Sequence, residues 1–202
     1  MEETMETIIL ASNNKNKLIE INEKVKNIGI YVISQREAGA DIEVEENGST
    51  FAENATLKAE AIYNLLHQPV FADDSGLEID YLHGEPGVYS ARWAGENATD
   101  DDKIEKALNL LENIPEEKRT ARFKCCICYI DEKGEKHLFE QSCEGKIATQ
   151  KRGSHGFGYD PIFLFGDKTF AEMTQEEKNE VSHRGKAVLE FVKYLTMHKK
   201  TA

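Results

Sequence analysis

Apolar and polar positions alternate along this chain in two rhythms, one of period two and one near 3.6, and the switches between them mark its elements. "TIILAS" (7–12) reads as a short buried strand. Leu18, Ile21, Val25 and Ile28 follow at helical spacing, with Gly29 as the stop. "YVIS" (31–34) is the next strand, and "DIEVEENGS" (41–49) reads as strand and loop. A second helix opens at Thr50, which has the capping-box spacing to Glu53. Its apolar stripe is Ala55, Ala59, Ile62 and Leu66, and Pro69 closes it before the strand "VFA" (70–72). Thr99 caps a third helix that carries Ile104, Leu108 and Leu111 and ends before Pro115.

"RTARFKCCICYI" and "KHLFEQSCEGKIA" flank "DEKG", which predicts a long hairpin. Thr174 and Glu177 form another capping-box pair, and the last helix shows Val188, Leu189, Phe191, Val192 and Leu195. Strands and helices alternate and then give way to a hairpin. That order predicts an α/β or α+β fold with a mixed sheet.

Composition narrows the class. The 202 residues fit one large domain or two small lobes, and 40% hydrophobic with 31% charged content is ordinary for a globular protein. No stretch approaches the roughly 18 apolar residues of a membrane span. The N-terminus is acidic where a signal peptide is basic, so a cytoplasmic location and no membrane partner are expected. A net charge of −12 argues against nucleic acid as a partner but leaves room for a small anion held by a local basic cluster. Cys126 and Cys128 share one strand face and Cys125 the other; with Cys143 they lack zinc-ligand spacing and read as reduced core residues.

Five stretches carry chemistry. "SNNKNK" (12–17) lies where the first strand meets the first helix, so its N–H groups, Ser12, Asn14, Lys15 and Lys17 suit phosphate; a solvated polar cap explains them equally. Lys58 lies beside Ala55 and Ile62 on the inward side of its helix, although a lysine there can also snorkel. Asp73 and Asp74 stand at the end of the "VFA" strand, followed by Ser75 and Gly76. Their repulsion is offset if Mg²⁺ lies between them and a phosphate, with Glu45 or Glu46 as a further ligand; a plain turn is the alternative. "GSHGFGYDPIF" (153–163) offers Phe157 or Tyr159 to stack on a base, or a Gly-rich turn. "EEKNEVSHRGKA" (176–187) gathers Lys178, Ser182, His183 and Arg184 near a helix start, or is a capped surface helix.

Taken together, "SNNKNK", "ENGSTFAENATLKA", "FADDSGL", "GEPGVYSARWAGENATD", "GFGYDPIF" and "SHRGKA" resemble the inosine/xanthosine triphosphate pyrophosphatase family. They fall in family order from near residue 7 to near 195. The resemblance implies one domain over 1–202 made of two lobes, a long mixed β-sheet flanked by helices, an active site in the cleft, and a homodimer. It also implies Mg²⁺-dependent cleavage of a purine nucleoside triphosphate (ITP, dITP or XTP) to the monophosphate and pyrophosphate. Carried over by position, Ser12, Asn13, Asn14, Lys15, Asn16 and Lys17 meet the triphosphate, as does Lys58. Glu46 and Asp74 match metal ligands, Asp74 also being the proton acceptor, and Ser75 touches substrate. Phe157, Gly158, Tyr159 and Asp160, joined by Lys178, Ser182, His183 and Arg184, match the base-binding residues. Asn47 stands where the family commonly has threonine. A non-catalytic nucleotide sensor on the same fold remains the competing reading, discriminated by the joint presence of Glu46, Lys58 and Asp74.

Overall fold

The computed structural model describes residues 5–199, apart from the side chains of Asn16, Glu20 and Lys199. The chain divides into two compact units: residues 1–74, 126–140 and 187–202 make the first, and 75–125 with 141–186 the second.

In the first unit, β1 (Glu6–Leu10) leads into α1 (Lys15–Val25), a short 3-10 turn over Lys26–Ile28, and β2 (Ile30–Ser34). Gly29 ends the turn at φ 66°, a left-handed conformation that glycine adopts without steric cost. β1 runs parallel to β2, pairing Ile8 with Val32. It also runs parallel to β3 (Val70–Ile79), pairing Leu10 with Phe71. Residues 41–49, expected to be part strand, form no strand. Glutamates alternating with two lone apolar residues offer no continuous face to bury.

α2 (Phe51–Leu66) packs Phe51, Ala55, Ala59 and Ile62 inward, with Asn54 fully buried among them. Thr50 Oγ1 accepts from the Glu53 N–H, as the capping spacing predicts. The Glu53 carboxylate instead accepts from the N–H of Ser49 at 2.6 Å. The described core of this unit includes Ile8, Ile9, Leu10, Ile30, Val70 and Phe71, and Phe71 meets Phe191 with ring centroids 4.9 Å apart.

β3 does not stop at Ala72 but continues through Asp73, Asp74, Ser75 and Gly76 to Ile79. It runs from the first unit into the second, as does β5 (Lys136–Ile147), whereas β4 (Thr120–Ile130) runs from the second into the first; β4 and β5 are the two arms of the predicted hairpin. The second unit adds α3 (Asp100–Leu110), β6 (Phe163–Phe165), β7 (Lys168–Thr169) and α4 (Gln175–Val181). α5 (His183–Lys199) begins in the second unit and passes into the first. Strand order is β2-β1-β3-β4-β5-β6-β7, with β5–β6 and β6–β7 antiparallel, so the sheet is mixed as expected.

Ile79, Ile104, Leu111, Phe123, Ile162, Phe163 and Phe170 belong to the second unit's core. Arg119 is buried beside it because its guanidinium donates to the carbonyls of Leu111, Ile114 and Ala148, at 2.7 to 3.0 Å. All four cysteines are buried and outside any disulfide, as expected. Burial pushes the Cys126 thiol up to about 12 and Cys143 to about 11, which keeps both protonated and unreactive at neutral pH. Leu189, expected in the apolar stripe of α5, is 53% exposed; Ala187, Val188, Phe191 and Leu195 carry that face instead.

Candidate active site

The central residue of the first unit's site is Lys58. It stands on α2 one turn after Asn54, so the two side chains share a face. The Lys58 ammonium lies 2.7 Å from Glu46 Oε1 and 3.4 Å from Asp74 Oδ1. It also donates to the backbone carbonyl of Asp73 at 2.7 Å. A snorkelling lysine would reach water; this one is turned onto three oxygens. Burial works to lower its pKa, but the charges of Asp74, Asp73 and Glu46 outweigh that and raise it. Lys58 is therefore a fixed cation at neutral pH.

Successive side chains of a strand point to opposite faces. Asp73 and Asp74 obey that rule, and each has its own lysine. Lys17 Nζ sits 2.7 Å from Asp73 Oδ1, whereas Asp74 turns to Lys58 and receives a hydrogen bond from Asn54 Nδ2 at 3.1 Å on Oδ2. Each of the two carboxylates thus has a lysine of its own, in addition to whatever a divalent ion would contribute. Two ammonium groups on opposite sides of β3 offset their charges. The pair that does converge on one cation is Glu46 and Asp74. Burial raises the Asp74 pKa above the ordinary carboxylate value, Lys58 opposes that rise, and the Glu46 charge adds to it.

At the start of α1, Asn14 Oδ1 accepts from the Lys17 N–H at 3.3 Å, and Ser12 Oγ accepts from the Asn14 N–H at 3.1 Å. Asn13 Oδ1 accepts from the Arg36 N–H at 3.3 Å. Lys15 is exposed, and the Asn16 side chain lies outside the described residues. The polar run thus builds the helix entry and holds Lys17 toward Asp73.

The second unit holds the other sequence-predicted residues. Phe157 is 63% exposed, with the Lys178 ammonium 4.9 Å and the Arg184 guanidinium 5.7 Å from its ring centroid. Asp160 is buried, and its Oδ2 accepts from Lys178 Nζ at 2.5 Å and from the Phe157 N–H at 2.9 Å. Gly156 has φ 78°, and a Cβ there would lie 2.0 Å from Asp160 Oδ2, so a larger residue would be strained and would displace the Asp160 carboxylate. Tyr159 is no stacking platform: it is buried and its hydroxyl donates to the Ser90 carbonyl at 3.0 Å. Ser182 is buried as well, and its Oγ accepts from the Gly185 N–H at 3.1 Å, closing the start of α5. His183 stacks on Phe123, centroids 4.7 Å apart and planes 12° from parallel. Arg184 Nη2 donates to Ser75 Oγ at 3.1 Å, which ties that residue to the strand position next to Asp74.

Sequence reasoning missed Asn54, whose signal was a fully buried-side amide four residues before Lys58. It also missed a separate group at the β4–β5 turn. There, ligand atoms of Asp131, Glu135 and His137 lie within 4.8 Å of one another and could hold a metal ion. Asp131 Oδ1 already accepts from the Lys133 and Glu135 N–H groups, and His137 Nε2 lies 3.0 Å from the Tyr194 hydroxyl. This group shares no residue with Glu46, Lys58 or Asp74.

A mixed sheet whose strand β3 carries two aspartates, met by Lys17 from α1, Asn54 and Lys58 from α2 and Glu46 from a loop, defines an α/β protein with an acid–base cluster suited to hydrolysis of an anionic substrate. The chain belongs to the Ham1 family, whose pattern it matches over residues 8–194. It is 48% identical over 192 residues to the Clostridium perfringens protein named dITP/XTP pyrophosphatase, covering 91% of this chain and 94% of that one. It is 49% identical over 193 residues to the Halalkalibacterium halodurans protein of the same name, covering 95% and 100%. Among solved structures, the Staphylococcus aureus Ham1 protein superimposes with a TM-score of 0.89 at 44% identity, covering 96% of this chain and all 100% of that one. A Coxiella burnetii HAM1 protein gives 0.90 at 42% identity, with the same 96% and 100% coverage.

Proposed function

We propose that the protein hydrolyses non-standard purine nucleoside triphosphates (ITP, dITP and XTP) to the monophosphate and pyrophosphate, removing deaminated purines from the nucleotide pool. The observation that carries this reading is the Lys58 ammonium joining Glu46 to a half-buried Asp74 whose pKa burial raises above the ordinary carboxylate value. The names of the close relatives supply the substrate class. The relatives that cover nearly the whole chain are named as pyrophosphatases, so the enzyme is a better reading than a non-catalytic sensor.

Asp74 acts as general base. Its carboxylate takes a proton from water as the oxygen attacks the α-phosphorus, and the α–β phosphoanhydride breaks with pyrophosphate as the leaving group. Burial raises Asp74 toward the working pH, and Asn54 and Lys58 fix its orientation. Lys17 and Lys58 supply positive charge for the polyphosphate; phosphoryl transfer rests chiefly on positioning and charge stabilisation. Glu46 and Asp74 are hard oxygen donors that converge on a cation, so this pair fits Mg²⁺, which favours one or two carboxylates. When bound there, Mg²⁺ supplies charge neutralisation to the polyphosphate.

Phe157 offers an exposed ring for the base, with Lys178 and Arg184 as donors near its edge or face. Donors facing a 6-oxo group favour hypoxanthine and xanthine over adenine, whose amine leaves them unmatched. Homodimeric assembly and a cytoplasmic setting complete the reading. A pyrophosphate-release assay over ITP, dITP, XTP and ATP tests it: rates for the first three should far exceed that for ATP, and equal rates for ITP and ATP would remove the proposed 6-oxo selectivity.

A further inference from the structure

The first turn of α3 carries three aspartates, Asp100, Asp101 and Asp102, and they have different employment. Asp102 completes the helix cap: its carboxylate accepts from the Thr99 N–H at 2.8 Å while Thr99 Oγ1 accepts from the Asp102 N–H at 3.2 Å. Asp101 reaches Lys151 at 3.0 Å. Asp100 does neither. Its Oδ2 accepts from the Gly158 N–H at 2.7 Å, across 58 residues of sequence, and its Oδ1 meets the Lys103 ammonium at 2.6 Å. Lys103 is itself 9% exposed, so a nearly buried cation holds the carboxylate that holds the glycine.

Gly158 follows Phe157 directly and sits at φ 61°, a left-handed conformation open mainly to glycine. The Phe157 backbone is thus pinned from two sides, by Asp160 through its own N–H and by Asp100 through the next one. An exposed aromatic ring on a Gly-rich loop keeps one direction only if the backbone beneath it is fixed. Burial works to raise the Asp100 pKa, yet Lys103 and the Gly158 N–H bring it below the usual carboxylate value. The carboxylate is therefore charged, and its hydrogen bonds are of the stronger, charge-assisted kind.

We infer that Asp100 is a positioning residue for substrate selection: through the Gly158 N–H it fixes the loop that presents Phe157 to the purine. Asp100 touches no substrate atom in this role. The role rests on Phe157 serving as a base platform, as proposed above, and its test separates the two.

Asp100→Ala, Asp100→Asn and Asp101→Ala are compared with the unmodified protein by amide hydrogen exchange at Gly158 and by ITP hydrolysis. Asp100→Ala should speed Gly158 exchange and raise KM for ITP, each roughly tenfold, with kcat within about twofold. Asp100→Asn keeps a carbonyl acceptor for the Gly158 N–H and should restore most of both. Asp101→Ala removes the same charge one residue away and should leave both at the unmodified level. The inference is overturned if Gly158 exchange is unmoved in Asp100→Ala, or moves without KM. It is equally overturned if Asp101→Ala matches Asp100→Ala, which would make the effect one of net charge. Failure of the unmodified protein to hydrolyse ITP would sink the nucleotide reading instead, while Gly158 exchange would still decide whether Asp100 holds the loop.

Discussion

Asp74→Asn changes one oxygen to an amide nitrogen and leaves the volume at the site almost the same. Asp74 Oδ2 now accepts from Asn54 Nδ2 at 3.1 Å and Oδ1 from Lys58 Nζ at 3.4 Å. An asparagine has one acceptor, so one of these donors must face an NH₂ group, at a cost of about 1–3 kcal/mol. Lys58 tolerates that loss because it keeps Glu46 Oε1 and the Asp73 carbonyl, both at 2.7 Å. Against the cost stands relief from a buried charge, which the raised Asp74 pKa marks as unfavourable. The two effects oppose each other, and the net change in stability should stay within about 2 kcal/mol of zero. Turnover has no such offset. Loss of a general base costs about 10²- to 10⁴-fold, or roughly 3–5.5 kcal/mol of barrier. Pyrophosphate release and nucleotide affinity, measured together, should therefore separate: kcat collapses while the dissociation constant for ITP moves little. A variant that turns over within tenfold of the unmodified rate would refute the assignment of Asp74.

Other perturbations read other residues. Lys58→Met leaves Glu46 and Asp74 facing each other without their shared cation, so chemical denaturation should show a loss of about 3–5 kcal/mol; a change under 1 kcal/mol would mean water already screens the pair. Its pH–rate profile should also shift, because the Lys58 charge is the largest influence holding the Asp74 pKa down, and the acid limb should move to higher pH. Stability carries the same signature with the sign reversed. The folded Asp74 binds its proton more tightly than the unfolded chain, so this group favours folding at low pH. That contribution is lost as pH rises from 3.8 through the raised folded value. The melting temperature of Asp74→Asn, relative to the unmodified protein, should therefore climb over that window; a flat difference would contradict the raised pKa. Phe157→Ala should raise KM for ITP by the equivalent of about 1–3 kcal/mol of stacking, with an unchanged melting temperature because the ring is 63% exposed.

The hydrophobic rhythm made most of the scaffold legible. The stripes of α1 and α2, the hairpin arms and the caps at Thr50, Thr99 and Thr174 all follow from local preference, and local preference prevails there. β3 is where it fails. Asp73, Asp74, Ser75 and Gly76 are turn formers by composition, yet they continue a strand because tertiary partners satisfy them: Lys17, Lys58, Asn54 and Arg184. No local pattern encodes partners that are 16 to 109 residues away. The alternation rule did apply to Asp73 and Asp74, and it would have sent them to different lysines. Tyr159 and Phe157 were equivalent in sequence, being two aromatics among glycines. The structure separates them, since a phenol with a carbonyl partner can be buried and Phe157 is left outside. Glu53 served as half a cap because the Ser49 N–H lay nearer to its carboxylate. Asn54 and Asp100 escaped notice for one reason: each acts on a residue distant in sequence, and their own neighbourhoods explain them as helix polarity.

The most direct measurement is the identity of the products from ITP, resolved by phosphorus NMR in the presence of Mg²⁺ and again with the ion chelated. Attack at the α-phosphorus beside Glu46, Lys58 and Asp74 predicts inosine monophosphate and pyrophosphate in equal amounts, with release falling steeply on chelation. Inosine diphosphate with orthophosphate, or a rate indifferent to the ion, would contradict the account.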